Sequence, residues 1–234
     1  MRFGVNYIKN GVKDILFPHV CEICGHQLSK AYLFVCESCL NSRFEEASFT
    51  TQLFNNSELI IPEGIEFVFS MWKYDKGGYL QDLLHNLKYH QLSGVGFDLG
   101  KQLGTVLLRK TSLTKKSQIL LIPVPLHEKK ERKRGFNQAR VISNGVKDAT
   151  KYEIVHKGVV TRIKNTKTQT GFTIKKRNEN IHNAFLVTNN AEIINRTCLI
   201  IDDVFTTGAT TFEVAKALKS SGAGKIIIAT VACA

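Results

Sequence analysis

Ile119-Leu120-Leu121-Ile122-Pro123 is a short apolar run without alternation, and Cys198 to Ile201 and Lys225 to Val231, predominantly apolar, are further central-strand candidates. A strand with one wet face alternates polar and apolar residues, so unbroken runs of this length call for burial on both faces. That requires helices on either side of a parallel sheet. Helical patterns fall where such an arrangement needs them. Tyr79, Leu80, Leu83, Leu84 and Leu87 line one face, and Val95 to Arg109 carries Phe97, Leu99, Leu103, Val106 and Leu107. Two more helices are expected from Phe136 to about Ala149 and from Thr210 to Ser220, the last ended by Ser221-Gly222. Phe67–Trp72, Ile154–Val160 and Ala184–Val187 read as further strands. The alternation of strand and helix predicts an α/β fold, a parallel sheet flanked by helices.

In open sheets of this kind ligands bind beyond the carboxyl ends of strands. At one such end the run Leu199-Ile200-Ile201 leads to two adjacent carboxylates, Asp202 and Asp203. The loop Val204-Phe205-Thr206-Thr207-Gly208-Ala209-Thr210-Thr211 follows and opens a helix. Carboxylates at the sheet edge can accept hydrogen bonds from sugar hydroxyls. The loop offers backbone N–H groups, threonine hydroxyls and a helix N-terminus to a phosphate. Chemistry alone therefore supports a site for an anion and a diol. The whole string is narrower than that. It resembles the loop by which type I phosphoribosyltransferases hold phosphoribosyl diphosphate (PRPP).

A second loop starts at another strand end. Pro123-Val124-Pro125-Leu126-His127 stiffens the exit, and a polar, basic loop is expected to run to about Gly135. It carries Arg132, Lys133 and Arg134, then Gly135 for a tight turn, then Asn137 and Gln138 at a helix start. Arginines offer bidentate contacts to phosphate oxygens, so this loop suits a diphosphate. A solvated basic loop is the plainer reading. The segment Arg162 to Asn180 is polar without apolar period, in keeping either with a lid or with an exposed loop of no role.

Near the front, Cys21-x-x-Cys24 and Cys36-x-x-Cys39 form two knuckles separated by eleven residues. Two such knuckles make the four-sulfur set preferred by structural zinc, a closed site with no position left for catalysis. Disulfides are the alternative, disfavoured in a reducing cytoplasm. His19 and His26 read as bystanders, and Cys198 and Cys233 as strand residues. The expected organisation is an amphipathic helix over residues 1–20 (Val5, Ile8, Val12, Ile15, Leu16), a zinc finger over 21–45, a connector over 46–66 and an α/β domain over 67–234.

A formal net charge of +12 favours phosphorylated metabolites, nucleic acid or acidic surfaces as partners. No segment approaches the roughly 18–20 apolar residues of a membrane span, and residues 1–20 lack the apolar core of a secretory signal. Both points lead to a cytoplasmic expectation.

Taken in order, the four-cysteine finger, Leu87-Lys88-Tyr89, Pro123-Val124-Pro125-Leu126 with Arg134-Gly135-Phe136-Asn137-Gln138, and Asp202-Asp203 with its Thr/Gly loop resemble the ComF family of competence proteins. Thr168-Gln169-Thr170 and Arg177-Asn178 running to Asn183-Ala184-Phe185 extend the match over nearly the whole chain. The resemblance implies a Rossmann-like type I phosphoribosyltransferase fold with an N-terminal zinc finger. It also implies a role in natural transformation and DNA uptake, with single-stranded DNA and other competence proteins as partners. On this reading Asp202 and Asp203 hold the ribose hydroxyls, and Thr206, Thr207, Gly208, Ala209, Thr210 and Thr211 wrap the 5′-phosphate. Arg132, Lys133, Arg134, Gly135, Asn137 and Gln138 form the diphosphate loop. Magnesium arrives with the diphosphate. An active phosphoribosyltransferase of nucleotide salvage and a PRPP-binding protein without turnover both fit these residues, and no general base or base pocket is evident.

Overall fold

The structure, a computed structural model, describes residues 19–29, 32–47, 61–111, 113, 118–164 and 181–234. The amphipathic helix expected near the start, most of the connector and most of the segment 162–180 lie outside these residues, as do Thr168-Gln169-Thr170 and Arg177-Asn178.

Strands β1 (Ile65–Lys73), β2 (Ile119–Pro123), β3 (Glu153–Ile154), β6 (Thr197–Phe205) and β7 (Ile226–Cys233) form one parallel sheet in the order β1-β7-β6-β2-β3. A two-stranded antiparallel ribbon, β4 (Val160–Arg162) with β5 (Phe185–Val187), stands beside it. The unbroken apolar runs are central strands, as expected: every residue of β2 is buried. Alternate residues serve opposite faces. Leu121, Leu199, Ile201 and Ile227 join one core cluster, while Leu120, Ile122, Ile200 and Ile228 join the other.

The first cluster is covered by α2 (Tyr79–Tyr89), α3 (Ser93–Lys110) and α5 (Gln138–Thr150). The second is covered by α6 (Ala209–Ser220) and by residues of β4 and β5. Helices α3 and α5 cross backbone to backbone. A Cβ at Gly100 would lie 2.0 Å from the Ile142 carbonyl oxygen, and one at Gly145 would lie 2.1 Å from that of Phe97. Only glycine permits this approach.

Two expected elements change. The basic segment after Leu126 is not a loop throughout: Glu128–Arg134 is a helix, α4. His127 caps its first turn, Glu128 and Glu131 lie near its positive end, and Arg132, Lys133 and Arg134 near its negative end. Gly135 closes it at φ 87°. No residue of α4 is buried, so no apolar period announces it. The single strand expected over Ile154–Val160 is instead the two-residue β3 and the start of β4, separated by a turn at Gly158 (φ 98°). Cys198 is fully buried, whereas Cys233 is only partly so.

The cysteine module is not a free appendage. Cys21, Val35, Cys39 and Leu40 belong to the first core cluster, with α1 (Glu37–Ser42) carrying the last two. The carboxylate of Asp98, fully buried on α3, accepts hydrogen bonds from the backbone N–H groups of Leu33, Phe34 and Val35 at 3.0, 2.6 and 3.0 Å. Gln102 adds a 2.7 Å bond from its Nε2 to Asn41 Oδ1.

Candidate functional site

Strand β2 runs on through α4 and α5 to β3 on one side, while β6 runs through α6 to β7 on the other. The two strands are neighbours, so their carboxyl ends diverge and leave a crevice where open α/β sheets bind ligands. Both loops singled out in the sequence begin there. Pro123 pairs with Ile201, and the Val124 N–H still donates to the Ile201 carbonyl at 3.0 Å before the chains part.

Asp202 and Asp203 lie inside the last turns of β6 rather than after it, next to Thr230 on β7. Each carboxylate is anchored by the following backbone: Asp203 N–H donates to Asp202 Oδ1 and Val204 N–H to Asp203 Oδ1, both at 2.9 Å. Asp203 also forms an ion pair through Oδ2 with Lys88 of α2. Burial would raise the Asp203 carboxyl, but Lys88 brings it below the usual carboxylate range. Asp202 goes the other way. Burial first, and then the neighbouring Asp203 charge, push it up to about 8.

Beyond the pair, Thr206–Thr211 wraps a hollow lined by Asp202, Val204 and Phe205. Gly208 is the N-cap of α6 at φ 73° and supplies no capping side chain. A Cβ there would meet the Phe212 ring at 2.4 Å. The N–H groups of a helix's first turn have no partner within the helix, and they sit at its positive end. The Thr211 hydroxyl, by contrast, is turned back onto the Gly208 carbonyl at 3.1 Å and is buried.

The basic segment divides. Arg134 approaches the site, with its guanidinium 5.7 Å from the Tyr89 ring. Arg132 is highly exposed and paired with Glu128 at 2.8 Å, and Lys133 is exposed. Asn137 is an N-cap rather than an open ligand: Oδ1 accepts from Ala139 N–H and Nδ2 donates to the Val124 carbonyl, both at 3.0 Å. It thereby ties the β2 exit to the start of α5. Gln138 is buried, and its Oε1 has no hydrogen-bond partner among the described residues.

Three cations near the crevice were given no part in the ligand site by the sequence. Burial lowers the Arg162 guanidinium of β4 from its ordinary value, while Asp202 opposes the shift. Burial, Arg162 and Arg134 together lower Lys130. Lys88 is the third. Its sequence signal was its place four residues after Leu84 and directly after Leu87, on the apolar face of α2. A cavity of about 620 Å³ opens beside Arg162, walled by Pro123, Pro125, Leu126, Phe136, Val155 and Val160, with Glu131, Arg140 and His156 as further polar members.

In the finger, the four Sγ atoms all lie within 4.8 Å of one another. Cys24 and Cys36 Sγ are 3.7 Å apart. A tetrahedral zinc with Zn–S near 2.3 Å demands about 3.8 Å, so the set fits that ion. Backbone N–H groups of Ile23 and Cys36 point at Cys21 Sγ (3.4 and 3.3 Å), and that of Cys39 at Cys36 Sγ (3.4 Å). Such donors favour thiolates.

The Asp202 shift has a testable sign. A carboxyl raised in the folded state binds more protons than its unfolded counterpart between about pH 4 and 8, so its contribution to stability falls as pH rises through that window. Asp202→Asn removes this loss. Its melting temperature relative to wild type should be higher by at least about 2 °C at pH 8.5 than at pH 5, measured by calorimetry.

Known proteins bear on this geometry. Residues 132–233 match the model of the phosphoribosyl transferase domain. Over 232 residues the chain is 28% identical to competence protein F of Haemophilus influenzae, covering 96% of this chain and 91% of that one. It is 31% identical over 150 residues to DNA utilization protein YhgH of Escherichia coli K12, covering 63% and 64%. To the protein of the same name from Salmonella typhimurium it is 25% identical over 230 residues, covering 89% and 94%. Among the described residues no helix is long and apolar enough to cross a membrane. The matched domain begins inside α4 and takes in the end of the basic segment and the whole Asp202–Thr211 loop, and the likeness to competence protein F runs through the finger; the chain is similar to these competence and DNA utilization proteins and carries a phosphoribosyltransferase fold.

Proposed function

We propose that this protein binds PRPP in the crevice between β2 and β6 and serves DNA uptake in the cytoplasm, handling incoming single-stranded DNA. The observation that carries the reading is the acid pair at the end of β6, followed directly by a loop that closes on the N-terminus of α6. The carboxylates of Asp202 and Asp203 accept hydrogen bonds from the 2′- and 3′-hydroxyls. Thr206 to Thr211 takes the 5′-phosphate, since that loop and helix terminus can present donors and positive charge to an anion. Arg134, with Lys130 and Arg162, faces the diphosphate. Arg132 and Lys133 stand farther out and meet longer polyanions. Magnesium accompanies the diphosphate, and the four cysteines hold a structural zinc. The names of the relatives, a competence protein and DNA utilization proteins, supply the physiological setting.

The mechanism of binding follows from these residues. Asp203 stays anionic beside Lys88 and is the stronger acceptor for a hydroxyl. Asp202 takes the second hydroxyl, and a magnesium ion arriving with the diphosphate would favour its charged form. The cavity walled by Pro125, Phe136 and Val155 favours a second reading, an active phosphoribosyltransferase. A planar base seated there would lie between apolar walls, and the nearby cations would stabilise the diphosphate leaving from the ribose C1.

Titration calorimetry with magnesium–PRPP tests the shared part. Wild type should bind, and Asp202→Asn/Asp203→Asn should weaken binding at least tenfold, about 1.4 kcal/mol. No heat at millimolar ligand would refute the site. Diphosphate release in the presence of candidate bases then separates turnover from binding alone.

A further inference from the structure

We propose that Lys88 is a positioning residue of the ribose site, supplying from α2 the fixed counter-charge that lets Asp203 stand as a carboxylate beside Asp202. The proposal rests on the reading of the acid pair as a ribose site, and it makes α2 a third wall of that site besides the two loops.

The geometry carries it. Lys88 lies in the last turn of α2, on the face that Leu80, Leu84 and Leu87 turn into the core. A lysine in that position must desolvate its stem and needs a partner for its ammonium. The partner is Asp203 Oδ2, and both side chains are mostly covered, at 28% and 12% exposure. Two adjacent carboxylates in such a crevice repel each other strongly, because water screens them poorly. One cation in contact with one of them breaks the symmetry of the pair. Asp203 becomes the permanent anion, and Asp202 the member whose charge depends on its surroundings.

The other charges around the pair do not take over this task. Arg162 of β4 acts on Asp202. Arg134 of α4 acts against Lys88 rather than with it, and Lys130 is opposed by both guanidinium groups. Burial alone would lower the Lys88 ammonium, but Asp203 and then Asp202 keep it above its ordinary value, so it is charged throughout the neutral range. The next residue turns outward: Tyr89 is 61% exposed and carries Arg134 against its ring. One helical turn thus sets the acid pair on its inner side and the nearest arginine of the basic helix on its outer side.

Carbon-13 NMR of the aspartate carboxyls in the ligand-free protein, with calorimetry for magnesium–PRPP at pH 6 and pH 8.5, tests the inference on wild type, Lys88→Met and Lys88→Arg. In Lys88→Met, Asp203 should titrate above pH 6, well above its wild-type position, and Lys88→Arg should restore most of that shift. PRPP affinity of Lys88→Met should fall at least tenfold at pH 6 and clearly less at pH 8.5, where Asp203 regains its charge. An unchanged Asp203 titration in folded Lys88→Met, or an equal loss of affinity at both pH values, overturns the positioning role while leaving the ribose site intact. Wild type that binds no PRPP overturns the ribose-site reading and the positioning role with it. Should Lys88→Met fail to fold, Lys88→Gln carries the same expectations.

Discussion

Asp98→Ala is expected to lower stability by at least about 3 kcal/mol and to loosen the cysteine module from helix α3. The Asp98 carboxylate is the acceptor for three consecutive backbone N–H groups, those of Leu33, Phe34 and Val35. Alanine supplies no acceptor, and the Val35 N–H at least is buried. Each buried donor left unpaired costs about 1–3 kcal/mol, and bonds to a charged acceptor lie at the upper end. The loss is local before it is global. Chemical denaturation of Asp98→Ala should show an early transition absent from wild type. Limited proteolysis between residues 19 and 47 should accelerate, and a chelator should strip zinc faster. Asp98→Asn keeps the shape but puts an N–H₂ group among donors, so it should rescue only part of the loss. Wild-type behaviour of Asp98→Ala in all three measurements would mean that the finger is held by its apolar contacts alone.

Gly145→Val is expected to prevent folding, and even Gly145→Ala to lower the melting temperature by about 6 °C or more. The first atom added lands 2.1 Å from the Phe97 carbonyl oxygen, and backbone has no rotamer by which to yield. Helices α3 and α5 must part, and overpacking of this kind costs about 3 kcal/mol at the upper end of ordinary cases, with about 2–4 °C per kcal/mol in a chain of this size. Soluble expression and differential scanning calorimetry read the outcome. The damage reaches the crevice as well. Separation from α3 moves α5, whose N-cap Asn137 ties the β2 exit to the helix. PRPP affinity of any folded Gly145→Ala should therefore fall with its stability. An unperturbed Gly145→Ala would show that the two helices can slide without cost.

What could be read in the sequence, and what could not, follows the range over which each signal acts. The central strands were legible because burial on both faces leaves an unmistakable apolar run, as in Ile119 to Pro123. The acid pair and its loop were legible because strand, carboxylates and helix start are contiguous. Helix α4 was missed because its stability is electrostatic and local: a His127 cap, two glutamates at one end and three cations at the other, with no buried face. Asn137 looked like a ligand but is spent on capping, a choice that residue type alone does not reveal. The roles of Lys88 and Asp98 were hidden for a different reason. Each is a charge placed on an apolar helical face, Asp98 between Val95 and Leu99, Lys88 after Leu87. Their partners stand 115 and about 65 residues away in the chain. A charge out of pattern says that a partner exists, and only the fold says which.

The short piece of chain that leaves the finger has a consequence for how the molecule keeps to itself. Glu46 pairs antiparallel with Trp72, the Ala47 N–H donates to the Met71 carbonyl, and the Lys73 N–H donates to that of Glu45. These bonds occupy the outer side of β1 from Met71 to Lys73, at the end of a strand whose inner side is taken by β7. At the opposite margin β3 offers only two residues. An uncovered row of strand amides is a template for another chain, and the residues leaving the finger shorten the row that β1 presents. Glu45 to Ala47 thus cap the end of this margin. A truncated protein that starts after Ala47, chosen to isolate the α/β domain, would bare the end of the β1 margin together with the apolar side of α3, and it should be recovered as aggregate rather than as a smaller soluble domain.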